Sequence, residues 1–141
     1  MATPEYFIGD RQMKVSVDWY DQNRRIMLKR YVGRWDWPSF VKAQTTPEGL
    51  LDSVSHPVSV IIDAQDYEIP PEILTKLPQI AQSRIAKHPN LAHVIIVSAS
   101  PFVNLVAQMF IELYAGDLLV DVAPSVDQAL SIAHHGGPGQ A

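Results

Sequence analysis

The chain has 141 residues, 47% of them hydrophobic and 18% charged, with 11 Lys+Arg against 15 Asp+Glu. That is the composition of one globular domain, long enough to bury a core without disulfide or metal staples. Zero cysteines exclude a disulfide framework, a thiolate zinc site and a cysteine nucleophile. No stretch approaches the ~20 apolar residues of a membrane span, and Met1-Ala2-Thr3-Pro4-Glu5 lacks the basic start and apolar run of a signal peptide, so a cytoplasmic protein is expected. Residues 11–42 carry eight basic and three acidic side chains, whereas His88 to Ala141 holds no Lys or Arg and four acids, Glu112, Asp117, Asp121 and Asp127. Acids interspersed with the basic residues, and the lack of an Arg/aromatic RNA-reading motif, make this a set of solvated strand faces rather than a nucleic-acid surface.

In chain order, the first dozen residues read as an arm whose Tyr6, Phe7 and Ile8 cover an apolar edge. Val15, Val17 and Trp19 then alternate with Ser16, Asp18 and Tyr20, the pattern of a half-buried strand. Asp21-Gln22-Asn23-Arg24 supplies turn residues, and Arg25 to Val32 returns as a second strand, making an antiparallel hairpin. Gly33 is read as the end of that strand. Asp36 is a good N-cap with Pro38 in the first turn, so a helix is expected from there to about Val54. Thr46-Pro47-Glu48-Gly49 makes it either one kinked helix or two short ones.

Val58-Ser59-Val60-Ile61-Ile62-Asp63 and His93-Val94-Ile95-Ile96-Val97 are nearly continuous β-branched runs, as expected of parallel strands covered on both faces. Pro70-Pro71-Glu72 opens a helix between them, split at Pro78 and closed by His88-Pro89-Asn90. Ser100-Pro101 starts another, ended by Gly116. Leu118 to Val122 is a fifth strand, Ser125 caps a last helix to His134, and Gly136-Gly137-Pro138-Gly139 is a loose tail. The expectation is a single α/β domain over residues 1–141, with a mostly parallel five-stranded sheet, an N-terminal antiparallel hairpin and the order ββαβαβαβα.

This order, with an aspartate closing the third strand in Val60-Ile61-Ile62-Asp63, resembles the STAS-like family, specifically its SpoIIAA-like branch related to anti-sigma-factor antagonists. The resemblance spans about residues 13–135 and rests on Trp35-Asp36-Trp37, Ile62-Asp63 with Ile69-Pro70-Pro71, His88-Pro89-Asn90 and Asp127-Gln128-Ala129-Leu130. It implies a non-enzymatic signalling domain that binds protein partners or, in some relatives, nucleotides or apolar ligands. In the antagonists a Ser or Thr after the third strand is phosphorylated to switch partner binding. Here the matching loop is residues 64–71, and the first hydroxyl after Asp63, Tyr67 apart, is Thr75. The resemblance therefore implies binding without the phosphoswitch, with Asp66 and Glu68 the only fixed charges in its place.

A hydrolase triad is disfavoured by topology. Asp63, Ser98 and Ser100 fall at carboxyl ends of strands and His56, His88 and His93 at amino ends, about 20 Å apart at ~3.3 Å per residue. There is no Gly-x-Ser-x-Gly elbow. The histidines lack helical metal-ligand spacing, so neither a metal nor another cofactor is expected. Ser98-Ala99-Ser100-Pro101 leads into a helix N-terminus but has neither glycine nor a nearby cation, which favours N-capping over phosphate binding. Ligands of open α/β sheets collect at the carboxyl ends of strands, so the candidate pocket residues are Asp63, Tyr67, Ser98, Ser100 and Asp121.

On the helix from Pro101 to Ala115, Asn104, Gln108 and Glu112 form one polar stripe and apolar residues occupy the remaining arc of about 240°. A helix on a sheet needs an apolar stripe little wider than about 100°, so the flank of Ala107, Ile111 and Tyr114 is the candidate partner interface. The leading expectation is a non-enzymatic regulatory domain acting by protein–protein binding, to itself as a homodimer or to another protein. The alternative is a carrier of a small apolar or acyl ligand, with Phe102, Met109, Phe110, Trp35 and Trp37 around the cavity.

Overall fold

The computed structural model describes residues 5–8, 13–114 and 116–136, without side chains for 5–8, 135 and 136. Six strands, β1 (Glu5–Ile8), β2 (Met13–Trp19), β3 (Ile26–Arg34), β4 (Val58–Glu68), β5 (Leu91–Val97) and β6 (Leu119–Ala123), form one sheet in chain order. β1, β2 and β3 pair antiparallel, and β3 through β6 pair parallel. The helices are α1 (Trp37–Ala43), α2 (Thr45–Asp52), α3 (Ile73–Ala81), α4 (Pro101–Leu113) and α5 (Val126–Gly136). Strands laid down in one direction with right-handed crossovers send every connecting helix to the same face. α1 to α4 therefore share one face, and α5, which comes after the last strand, covers the other.

The capping signals act as their residue types dictate. Asp36 accepts from the Ser39 amide at 3.0 Å, Ser100 from the Val103 amide at 3.4 Å, and Ser125 from the Gln128 amide at 3.2 Å. Of the two possibilities for residues 37–54, two short helices form, joined at the single residue Gln44. The five expected strands are present, and a sixth extends the sheet: Glu5–Ile8 of the supposed arm pairs with β2, Tyr6 opposite Val15. The glycine-rich tail after Gly136 lies outside the described residues.

Three boundaries differ from the sequence reading. Gly33 does not end β3. At φ 104°, a conformation glycine adopts without a Cβ penalty, it lets the strand continue to Arg34. β4 likewise runs past Asp63 to Glu68, held by β3 and by ion pairs from Arg30 to Asp66 (3.1 Å) and Arg34 to Glu68 (2.9 Å). The supposed switch loop is mostly strand, and its two acids are neutralised by part of the basic segment. Nor does Pro78 split α3. The helix passes through it, losing only the bond its missing N–H would have made, because Ile73, Leu77 and Ala81 bury one continuous face. α3 does stop at Ala81, well before His88, and turns fill the interval.

Within β4 a bulge decides which side chains reach each face. Arg30 pairs with Asp63 but Val32 with Asp66, so β4 carries one extra residue there. Before it, the even-numbered Val60, Ile62 and Ala64 face α1–α4. After it the parity inverts, and Tyr67 faces that side instead of Asp66.

Candidate functional site

The two faces of the sheet are packed differently. Under α5, Ile26, Ile61, Ile95, Val97 and Ala123 meet Ala129 and Ala133, whose small side chains let the helix sit close. On the other face the apolar residues form two separate groups. One is centred on the sheet and α1–α2, including Met27, Tyr31, Leu51 and Val60; the other on Trp35, Ile73, Leu77 and Val106, joining α3 and α4. Phe40 and Tyr67 pack against both groups and act as pillars between them. Their rings belong to a chain of aromatic contacts: Tyr31 meets Tyr67 edge-on at 5.2 Å, and Trp37 stacks on Phe40 at 6.2 Å.

Between the two groups lies a cavity of about 380 Å³. Its floor is Val60 and Ile62 of β4, Val94 and Ile96 of β5 and Val120 of β6. Its walls are Trp35, Trp37 and Phe40 on one side, Ile73, Leu77 and Ile80 of α3 above, and Val103, Val106, Ala107 and Phe110 of α4 opposite. Two of the lining residues reach solvent: Val41, 49% exposed, and Arg84, whose side chain is 71% exposed. The volume falls in the range of small-molecule sites, about 300–1,000 Å³.

Besides Glu48, Tyr67, Ser83 and Arg84, the wall carries one linked group of polar side chains. Lys29, Tyr31 and Gln44 are all buried, and Gln44 connects them: its Oε1 accepts from Lys29 Nζ at 3.3 Å, while its Nε2 donates to Tyr31 Oη at 3.2 Å and to the Phe40 carbonyl at 2.9 Å. The Lys29 ammonium also lies 5.2 Å from the Tyr31 ring centroid. Tyr67 donates to Met13 Sδ at 3.3 Å, and burial, assisted by Tyr31 and Asp36, pushes its phenol far above the usual range and keeps it protonated.

The five candidate pocket residues are not gathered into one place. Tyr67 alone is on the cavity wall. Asp63 sits mid-strand on the α5 face, 3.8 Å from Arg30, and accepts from the Gln65 amide. Ser98 and Ser100 build the turn into α4, Ser98 Oγ accepting from the Ser100 amide at 3.1 Å. Asp121 pairs with His93 Nε2 at 2.6 Å on the neighbouring strand. That imidazole is 1% exposed and touches no strand-tip hydroxyl among the described contacts. His88 holds another position: its Nδ1 accepts from the Asn90 amide, so Nε2 carries the proton and donates to Asp52 at 2.7 Å. Asn90 in turn donates to the Leu51 and Val54 carbonyls, so the His88-Pro89-Asn90 turn ties the end of α2 to the start of β5.

The candidate interface flank also divides. Ala107 is buried on the cavity wall, and Tyr114 stacks on Phe110 while donating to the Ala86 carbonyl at 2.9 Å. Ile111 is 48% exposed, with Leu105 and Leu113 also open to solvent. Of the five aromatic and methionine residues expected around a cavity, Trp35, Trp37 and Phe110 line it, whereas Phe102 and Met109 pack into the α3–α4 group behind the wall. Lys29 and Gln44 escaped sequence reasoning. Their signal was parity: Lys29 shares its strand face with Met27 and Tyr31, both core residues.

At the level of sequence no family model and no curated protein matches the chain. In three dimensions it is similar to the crystal structure of an uncharacterized DUF3478-family protein from Shewanella loihica PV-4, described as having a SpoIIAA-like fold. The TM-score is 0.59 at 10% identity, over 93% of this chain and 96% of that one. No helix among the described residues is long and apolar enough to cross a membrane. The chain has a SpoIIAA-like α/β fold, the architecture its strand and helix order implied.

Proposed function

We propose that this protein is a non-catalytic binding domain that takes up a small apolar molecule between its sheet and helices α1, α3 and α4. The observation that carries the reading is the cavity of about 380 Å³, walled largely by aromatic and aliphatic side chains, with the Lys29–Gln44–Tyr31 group and Glu48, Ser83 and Arg84 as its polar parts. A wall that is mostly apolar recognises shape and hydrophobicity. Native mass spectrometry on the purified chain, with organic extraction of what is bound, tests it. Extra mass that disappears in Ala107→Phe, where a ring is placed inside the wall, supports the reading. Failure of both endogenous and added apolar ligands to bind the wild type would refute it.

Partner binding through α4 is a second reading, favoured by the exposure of Leu105, Ile111 and Leu113. It predicts an oligomer or complex that Ile111→Glu dissociates, read by light scattering after gel filtration. Unchanged association in that variant removes it.

A further inference from the structure

We infer that the cavity selects an apolar molecule carrying one carboxylate, such as a medium-chain fatty acid, and that Lys29 and Tyr31 hold its head group. The inference rests on the apolar-cavity reading above and adds the chemical class of the ligand.

Lys29 is 4% exposed and lines the cavity, yet no carboxylate lies within ion-pair range of its ammonium among the described contacts. A buried ammonium is expensive unless paired, and it has three protons to place. One goes to the Gln44 amide oxygen, and the Tyr31 ring face supplies a weak second interaction. The other charged groups on the wall do not answer it, since Glu48 already faces Arg84 at 3.9 Å. Tyr31 Oη accepts from Gln44, and its own proton has no acceptor among the described contacts, so a second donor stands beside Lys29. Two donors with one positive charge match the two oxygens and single charge of a carboxylate. A phosphate head, with its larger charge and third oxygen, calls for an Arg fork or several cations, and this corner has neither. Most of the remaining wall is apolar and receives the tail.

Isothermal titration with decanoate and with decanol, at a pH well above the pKa of the acid, separates the two claims. Decanoate should bind the wild type about tenfold more tightly than decanol, the scale of one charge-assisted hydrogen bond. Lys29→Met should bind the two probes about equally, and Tyr31→Phe should lose part of the preference. Wild type that binds decanol as tightly as decanoate, or Lys29→Met that keeps the preference, overturns the carboxylate inference and leaves the apolar cavity standing. Binding of neither probe overturns both. Because the wild-type comparison decides alone, a Lys29→Met chain that fails to fold does not shield the inference.

Discussion

The β-branched runs of β4 and β5 furnish both faces of the sheet, yet one face is closed and the other encloses a chamber. Ile61 and Ile62 show the contrast at adjacent positions: Ile61 is fully buried beneath α5, whereas Ile62 faces the cavity and is only half-buried. The strands do not determine this difference; the covering helices do. Ala129 and Ala133 let α5 approach closely, while Phe40 and Tyr67 stand between sheet and helices and prevent α3 and α4 from closing down. Large side chains can thus create space as well as fill it, when they bridge layers rather than interdigitate with neighbours.

The contrast is open to direct attack. Ile61→Ala should destabilise by about 2–5 kcal/mol, the usual cost of an alanine in a closed core, while Ile62→Ala costs about 1 kcal/mol because its neighbours on the cavity side are already missing. Urea unfolding of the two variants measures the difference, and equal losses would mean that the faces are packed alike. Asp121→Ala should cost about 1–3 kcal/mol on the closed face. It strips His93 of its side-chain partner, and His93 Nδ1 is already unpaired among the described contacts. Ala107→Phe, on the chamber side, should leave the melting temperature unchanged or raise it slightly, because the added ring enters open space. A large loss of stability there would show that the chamber is too small to be a site. The smallest effect belongs outside both faces, at Asp52. The His88 hydrogen bond holds its carboxyl below the ordinary range, so this link stabilises above the unfolded-state pKa of about 3.9 and is lost as pH falls through the lower folded value. The stability gap between wild type and Asp52→Asn should therefore narrow in acid unfolding experiments as pH falls through that lower value.

Most of the architecture was legible because it depends on local chemistry. Asp36, Ser100 and Ser125 announce helix starts through side-chain oxygens that cap in place, and the runs at Val58 and His93 announce buried strands through β-branching. What escaped depends on pairing across the chain. Glu5–Ile8 is a strand only because β2 offers it an edge, and residues 64–68 extend β4 only because Arg30 and Arg34 on β3 neutralise acids that read as loop. The candidate site was less legible for the same reason. A lysine between Leu28 and Arg30 suggests solvent, and its burial is set by which side of β3 the other layer occupies. The excess apolar arc of α4 was real, but much of it lines an internal space instead of a surface: Ala107 and Phe110 face the chamber, and Tyr114 is tied to Ala86.

The extra residue in β4 has a consequence for how such a chamber can be lost or gained. In the stretch from Asp63 to Glu68, Ala64 and Tyr67 line the cavity while the three acids do not, and the bulge decides which set points inward. Removing the extra residue would leave the phenol opposite Gly33 and still inward, whereas straightening the bulge at constant length would swing it outward and turn an ionised acid toward grease. The match between bulge and chain length, more than the identity of any one residue, guards the interior, so losing the extra residue together with the bulge should be tolerated better than losing the bulge alone.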